Sequence, residues 1–532
     1  MTSWVPRCAA LLFATLFLTA SIPASAQQPQ TGGVMVIAAA AEPAHFMGLN
    51  QNRDTQYIST QLFPALLEYD AKLDPKPSLA ERWEVSPDGL TYTFHLVRGA
   101  AWTDEKPITS DDVKFSIEEM AIKYHPSGRQ NFAIIDKIET PDPQTIIFRL
   151  SKPFAPLIKL FGHMTALILP KHAYAGTDPF QNRNSINPTV TGGPFVLAER
   201  VAGNHITLAR NPKFFKPGRP YLDRVIFRFI GDSSARVVAL ETGEADFIPS
   251  GVFPASEIDR LQKISDIKVV GSGAEATADV ATFGFNLRKA PFDNALVRRA
   301  INHAIDREFI RKTVAYNHSP LAHGPLHPGS FAFSEADLAA IDYKFDPARA
   351  ERLLDEAGYP RKADGWRFEM ALNSRPALFL YARTNEIMAD NLRKVGINAR
   401  IAPLENAAYF QNMYVDWKFD LSGGLFISGY DPQNLAAIYT CDQIRPIQFT
   451  NFMGYCNKEV DGLLAQAAAI TDAQKRREIF IEVQKKIMSD APAIWTIGNV
   501  DWVAHRANVF GLPPGPWNGR DPLDGAWMTK SK

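Results

Sequence analysis

An α/β fold divided into two or three lobes is what this sequence predicts, on three observations. The chain has 532 residues, which is more than a single hydrophobic core organises. Strand-like alternation and helix-like periodicity intermix along its whole length. Its composition, 46% hydrophobic and 21% charged, is that of an ordinary soluble globular protein. No low-complexity segment and no fixed-period repeat interrupts it.

The N-terminus reads as an export leader. Arg7 is the only charge before an apolar run from Cys8 to Ala20. Ala24-Ser25-Ala26 is a small-x-small cleavage site, so residues 1–26 form a signal peptide and Gln27 begins the mature chain. An uncleaved anchor is the alternative. The run is too short to span a bilayer, and no later stretch reaches about 18 apolar residues. Cys8 is not a lipidation site, because Val5-Pro6-Arg7 lacks the small and apolar residues such a site needs and the apolar run follows it. Cleavage leaves two cysteines, Cys441 and Cys456, in a loop-like segment with Asp442, Pro446, Asn451 and Gly454. An exported chain with two cysteines is expected to pair them. Closing a loop of about 15 residues contributes roughly 3 kcal/mol. A zinc site would need further ligands, and none is nearby in sequence.

Charge excludes one class of partner. Lys plus Arg and Asp plus Glu both count 57, for a formal net charge of zero that becomes −1 when Arg7 is lost. With no basic excess, Lys/Arg block or basic-aromatic patch, nucleic-acid binding has no support.

Residues 79–117 are the most informative stretch. Trp83 to Val85 is a short strand. Ser86-Pro87-Asp88-Gly89 is a turn in which Pro presets φ and Gly is free to take φ > 0. Leu90, Tyr92, Phe94 and Leu96 alternate with Thr91, Thr93 and His95, the pattern of a half-buried strand. After an Asp104-Glu105-Lys106 turn, Thr109 or Ser110 caps a helix with Asp111 and Asp112 in its first turn. Val113, Ile117 and Met120 form its buried stripe.

Further blocks continue the alternation. Thr191-Gly192-Gly193-Pro194-Phe195 turns into a strand, Ile206-Thr207-Leu208 follows, and Arg210-Asn211-Pro212 breaks it. Tyr221-Leu222-Asp223 leads into Val225, Phe227 and Phe229, alternating with Arg224, Ile226 and Arg228. A helix over Ala235 to Leu240 ends at Gly243, before Glu244-Ala245-Asp246. Pro291-Phe292-Asp293-Asn294 opens a helix from Ala295 to Ala304 with Leu296, Val297, Ala300, Ile301 and Ala304 on one face. Asp346-Pro347 is an N-cap with Pro at the first helical position, and Gly358 stops that helix. Glu386 to Lys394 is another helix, stopped at Gly396 before a strand from Ile397 to Ile401.

The ordered set resembles the periplasmic solute-binding proteins of family 5, the dipeptide/oligopeptide/nickel class that serves ABC importers. Residues 79–117 follow the family pattern L-A-x-x-W-x-x-S-x-D-G-x-x-Y-x-F-x-L-R-x-G, then F-x-D-G-x-P-x-T-A-x-D-V-x-F-S. The chain departs from it at Glu105, where Gly is usual, and at Trp102, where Phe is common. Matches extend from about Gly32 to beyond Trp502. The resemblance implies a two-lobed periplasmic-binding-protein fold of the large class II type with an extra subdomain. Its layout implies a discontinuous hinge lobe (32–65, 190–278 and 500–532), an extra subdomain (66–189) and a second lobe (279–499) that closes over ligand by hinge motion. It also implies a disulfide at Cys441 and Cys456, a periplasmic location, a permease with its ATPase as partner, and a monomer that is not an enzyme and has no cofactor.

The ligand side rests on fewer residues. In peptide-binding members an Arg-Pro dipeptide follows a strand, and its Arg holds a ligand carboxylate. Here Met370 to Ser374 leads to Arg375-Pro376, and a planar guanidinium suits a carboxylate; the alternative is an Arg in an internal salt bridge. Peptide binders also carry G-W-x-x-D-x-x-[DE]-P, whose first Asp pairs with an ammonium group. Gly424-Leu425-Phe426-Ile427-Ser428-Gly429-Tyr430-Asp431-Pro432 stands there, with Leu425 at the Trp position and Ser428 at the Asp position. A hydroxyl leaves a buried ammonium charge unpaired, so a free amino terminus is expected to gain little unless Asp431 or Asp420 supplies the acid. Asn52 and Arg53 complete the expected ligand contacts with Arg375, Leu425, Phe426, Ile427 and Ser428.

The expected activity is therefore capture of a peptide or peptide-like carboxylate in the interlobe cleft for delivery to a permease. The alternatives are a non-peptide solute (opine, sugar acid, glycoside or metal chelate) and a sensor-linked binding module. Hydrolase motifs H-E-x-x-H, G-x-S-x-G and the phosphate loop are absent. Ser265-Asp266-Ile267-Lys268 fits S-x-x-K without its companion motifs. Gly324 and Pro325 forbid a helix that would aim His323 and His327 at one metal.

Overall fold

The computed structural model describes residues 1–2, 28–49, 53–125, 128–271, 279–376, 378–426, 431–513 and 520–529. The rest of the leader with its cleavage site, Asn52, Ile427 and Ser428 lie outside them.

Three larger sheets, beside two of two strands each, organise the described residues. The first has seven strands, in the order Ile267–Gly271, Trp502–Arg506, Phe247–Ile248, Val34–Ala39, Arg224–Phe229, His205–Arg210 and Phe195–Val201. Val34–Ala39 pairs in parallel with Arg224–Phe229, whose buried Val225 and Phe227 alternate with its exposed or half-exposed neighbours. Turn chemistry sets its edges. A Cβ on Gly193 would fall 2.4 Å from the Gln61 carbonyl oxygen, so the chain enters the strand Phe195–Val201 where only hydrogen fits.

The second sheet has five strands, ordered Ile397–Pro403, Phe368–Ser374, Leu421–Phe426, Val280–Phe285 and Ala493–Gly498. Around it pack helices with the expected termini. Asn294 caps Ala295–Ala304 by accepting from the Leu296 amide at 2.9 Å. Asp346 caps Pro347–Glu356 through the Arg349 amide at 2.8 Å, and Gly358 follows with φ +85°. The helix expected from Glu386 begins earlier: it spans Phe379–Lys394. Its N-cap is Leu378, which has no capping side chain, and its buried face includes the polar Thr384 and Asn385. Neither a cap nor an apolar stripe therefore marks the first turns.

The third sheet is antiparallel, ordered Ala80–Val85, Thr91–Leu96, Thr145–Leu150 and Ile135–Asp142. Tyr92, Phe94 and Leu96 are buried as their alternation predicts, and Gly89 takes φ +68° in the turn before them. Glu105 adopts φ +72° where the family usually has Gly, and its carboxylate meets Lys213 at 2.7 Å. Thr109 is the N-cap of Ser110–Phe115, with its backbone amide donating to Asp112 at 2.9 Å. The helix continues through a π segment, Ser116–Ala121, with Ile117 and Met120 buried.

One contiguous core joins the third sheet to the first, from Met35, Phe46 and Tyr57 to Phe94, Trp102, Phe148 and Phe161. The second sheet has separate cores on its two faces, around Phe283, Leu372 and Met388 and around Tyr409, Phe452 and Trp495. Cys441 and Cys456 form a disulfide in this part of the chain. The loop it closes is also tied by Asn451, whose side-chain amide donates to the carbonyls of Thr440 and Tyr455 at 3.0 and 2.6 Å.

Candidate functional site

The chain passes between the seven- and five-stranded sheets twice, after Gly271 and after Gly498. The two crossings meet where the Asn499 amide donates to the Asp279 carbonyl at 2.9 Å. Around that contact the fold gathers charges that are distant in sequence. Asp501 accepts from Arg53 Nη1 at 3.0 Å through one oxygen and from Arg520 Nη2 at 3.2 Å through the other. Arg520 also donates to Gln56 Oε1 at 3.3 Å. Burial works to raise the Asp501 carboxyl, but Arg53 and Arg520 outweigh it and hold it below the usual carboxylate range. Burial pushes the Tyr57 phenol up to about 12, and its hydroxyl donates to the Ser250 carbonyl.

Arg53 is therefore held by Asp501 and packs against Gly251, where a Cβ would lie 2.3 Å from its Nη1. The guanidinium stays partly exposed, at 28% for its side chain. Neighbouring Asp279 behaves differently. It is 3% exposed, and its Oδ1 has no hydrogen-bond partner among the described residues. Burial first and Asp501 second raise its carboxyl to about 8, against the pull of Arg53 and Arg520.

Arg375 follows the strand Phe368–Ser374, as the Arg-Pro match requires. Its guanidinium carbon lies 4.9 Å from the Phe410 ring centroid and 5.5 Å from that of Tyr409. No carboxylate among the described residues lies within ion-pair distance of it, which disfavours the internal salt bridge. Tyr409 is anchored in turn by the strand Leu421–Phe426: it receives the Gly423 amide at 3.0 Å and donates to the Gly423 carbonyl. Tyr381 is 4% exposed. Burial, Asp279 and Tyr409 raise its phenol, and Arg375 and Arg53 lower it, so all four charged or polar neighbours act on one hydroxyl. That hydroxyl has no partner among the described residues.

The remaining expected contacts fall at the strand end. Leu425 and Phe426 pair with Ala281 and Val280 in the ladder, and Ile427 and Ser428 are not described. The acid proposed as a substitute for Ser428 is accounted for. Asp431 accepts both terminal nitrogens of Arg476, at 2.9 and 2.5 Å, and the Gln433 amide, with Lys159 at 3.6 Å. Asp420 pairs with Lys289 and accepts the Ala371 amide at 2.8 Å. Both are structural acids. His323 bonds to Asp342 at 3.0 Å, and no cluster of metal-ligating side chains occurs among the described residues. A cavity of about 450 Å³ lined by Ala173, Asp178, Asn182 and Val190 includes none of the residues above.

An α/β architecture whose seven- and five-stranded sheets are joined by two chain crossings is that of a two-lobed binding protein. The pattern of the bacterial extracellular solute-binding proteins, family 5 middle region, matches residues 74–444, and the chain belongs to that family. It is 26% identical over 520 residues to the oligopeptide-binding protein AppA of Bacillus subtilis, covering 95% of this chain and 93% of that one. It is 28% identical over 485 residues to heme-binding protein A of Haemophilus influenzae, covering 86% and 85%. The periplasmic binding protein DppA of Helicobacter pylori, solved with the peptide STSA, superposes with a TM-score of 0.78 at 25% identity, over 94% of this chain and 99% of that one. The family is one of solute receptors rather than enzymes.

Proposed function

We propose that this protein captures a peptide or peptide-like solute with a free carboxylate and delivers it to an inner-membrane ABC permease. The observation that carries the reading is Arg375. Its guanidinium rests on two aromatic rings, has no carboxylate partner among the described residues, and shares the field at Tyr381 with the crossing cluster. An Arg left without an internal acid is set to receive one from outside, and the rings orient its donor fork at little entropic cost. The peptide-binding relatives AppA and DppA point the same way. Arg53, with a partly exposed guanidinium held by Asp501, is assigned to the same site, and Leu425, Phe426, Ile427, Ser428 and Asn52 are proposed as its further ligand contacts.

In this reading the seven-stranded sheet with residues 32–65, 190–278 and 500–532 is the hinge lobe, and residues 66–189 ride on it. Residues 279–499 form the opposing lobe. Export follows removal of the leader after Ala26, and the receptor works as a monomer. Mass spectrometry of solute carried through purification tests the ligand class. A carboxylate-bearing peptide is expected; a bound solute lacking any carboxylate refutes the role of Arg375. The same experiment separates the peptide from an opine, a sugar acid or haem.

A further inference from the structure

The second crossing is short and anchored at both ends. Before it, the Gly498 amide donates to the Pro320 carbonyl at 2.9 Å and the Ala322 amide to the Thr496 carbonyl at 3.1 Å, which ties the strand Ala493–Gly498 to the loop around Pro320. After it, Arg53 and Arg520 hold Asp501, and Trp502 enters the ladder opposite Gly271. Asn499 and Val500 lie between these anchorages, so a rotation of one sheet against the other passes through them. One side chain reaches past the link. His318 belongs to the loop held by the five-stranded sheet, yet it touches the seven-stranded body twice. Its carbonyl accepts from Trp502 Nε1 at 3.3 Å, and its ring packs edge-on against the indole with centroids 5.4 Å apart. Its Nε2 lies 3.1 Å from Asp259 Oδ1. Asp259 sits on the helix Ile258–Leu261, whose Leu261 shares a core with Ala38 and Ala504 of the seven-stranded sheet. Nε2 is enclosed and makes no hydrogen bond among the described residues, because Asp259 stands off its donor line. A neutral ring leaves that nitrogen uncompensated, whereas an imidazolium gains a charge partner at contact. The further charged groups on the surrounding elements are Arg260, held by Glu241 and Glu257; Arg311, held by Glu308; Lys312 beside it; and Lys268 and His505, toward the other end of the strand pair from Trp502.

We propose that His318 is a pH-dependent strut across the hinge: when protonated it pairs with Asp259 and holds the two bodies in the arrangement described. This rests on the hinge reading of the lobes given above. The same arrangement brings Lys159 within 3.6 Å of Asp431 on the five-stranded body, so it is the shut one. Histidine is the side chain whose charge changes between about pH 5 and 8. The attraction exists only for the charged ring, so it is present on the acid side and is lost as pH rises through the imidazole titration. Turning about Asn499 and Val500 withdraws His318 from Asp259 and Trp502 together. Acid therefore favours the shut form and retention of solute, and a rise in pH eases release.

The test is single-molecule energy transfer between dyes on Lys152→Cys and Ile447→Cys, exposed positions on the two arms, in the purified solute-free chain with its disulfide unreduced. It reads the ratio of shut to open molecules. From about pH 7.5 to about pH 5.5 that ratio is expected to rise about two- to fivefold more in the otherwise unmodified chain than in Asp259→Asn, the worth of a partly exposed ion pair. Asp279 at the crossing, whose carboxyl burial and Asp501 raise to about 8, keeps its own response in that variant, so the difference isolates His318. Asp259 is mostly exposed, so the variant keeps the fold, and His318→Gln should match it. Equal pH responses in all three chains overturn the proposal and leave the hinge standing, as does a shift toward the open form in acid. A single distance at every pH overturns the hinge reading as well.

Discussion

Replacing Asp431 by Ala should unfold this protein at markedly lower temperature. Asp431 is 4% exposed and satisfies both terminal nitrogens of Arg476, whose side chain is 6% exposed. Without the carboxylate, Arg476 retains the Ala467 carbonyl at 3.0 Å and the faces of Phe331 and Phe480. Those contacts do not neutralise a buried cation. Breaking one side of such a pair costs about 3–5 kcal/mol. For a cooperative unit of roughly 150–250 residues, each kcal/mol lowers Tm by about 2–4 °C, so the expected fall is about 6–20 °C. Replacing both partners, as in Asp431→Leu with Arg476→Leu, removes the stranded charge and should recover most of the loss. The pair also sets a pH dependence. Arg476, Lys159 and the Gln433 amide together outweigh burial and hold the Asp431 carboxyl below its ordinary value. Its stabilisation is therefore complete above the unfolded-state value and is lost as pH falls through the lower folded value. Calorimetry at pH 7 and across the acid range checks both statements. A single variant within about 1 kcal/mol of wild type would refute the argument from buried charge.

Reducing the Cys441–Cys456 bond should lower stability by roughly 3 kcal/mol for a loop of this size, and thiol labelling of unreduced, denatured protein should find neither cysteine free. Arg375→Ala should weaken solute binding by about 2–5 kcal/mol in titration calorimetry with the fold intact; unchanged affinity would remove it from the site. Glu105→Gly should leave stability equal or higher by up to about 1 kcal/mol, because relief of φ +72° outweighs an exposed ion pair with Lys213; a chemical-denaturation midpoint reads this.

Local chemistry made much of the fold legible. The Ser86–Gly89 turn, the alternation from Leu90 to Leu96 and the Asp346-Pro347 start each depend on residues a few positions apart, and each is found. The helix Phe379–Lys394 was not legible at its start because it has no capping side chain and buries Thr384 and Asn385. The crossing cluster was less legible still. Arg53, Asp279, Asp501 and Arg520 come from three remote segments, and only the fold brings them to one point. Read along the chain, Asp279 is one acid among many, and nothing near Asp431 in sequence marks Arg476, 45 residues on, as its partner.

The shared core of the first and third sheets has a mechanical corollary. Phe94, Trp102 and Phe161 share one core with Met35 and Tyr57, so in the proposed hinge closure the first and third sheets would move as a single arm. Its tip carries Lys159, which reaches Asp431 at 3.6 Å and the Phe331 ring at 5.4 Å on the other arm. Contacts of this kind are worth on the order of 1 kcal/mol each. A clasp that weak favours the shut form without locking it, leaving the solute's own affinity to decide how long the two arms stay together. With Asp431 4% exposed and Lys159 20%, salt screens that ion pair little. The receptor's dwell time in the shut form would then be set by cargo rather than by salt.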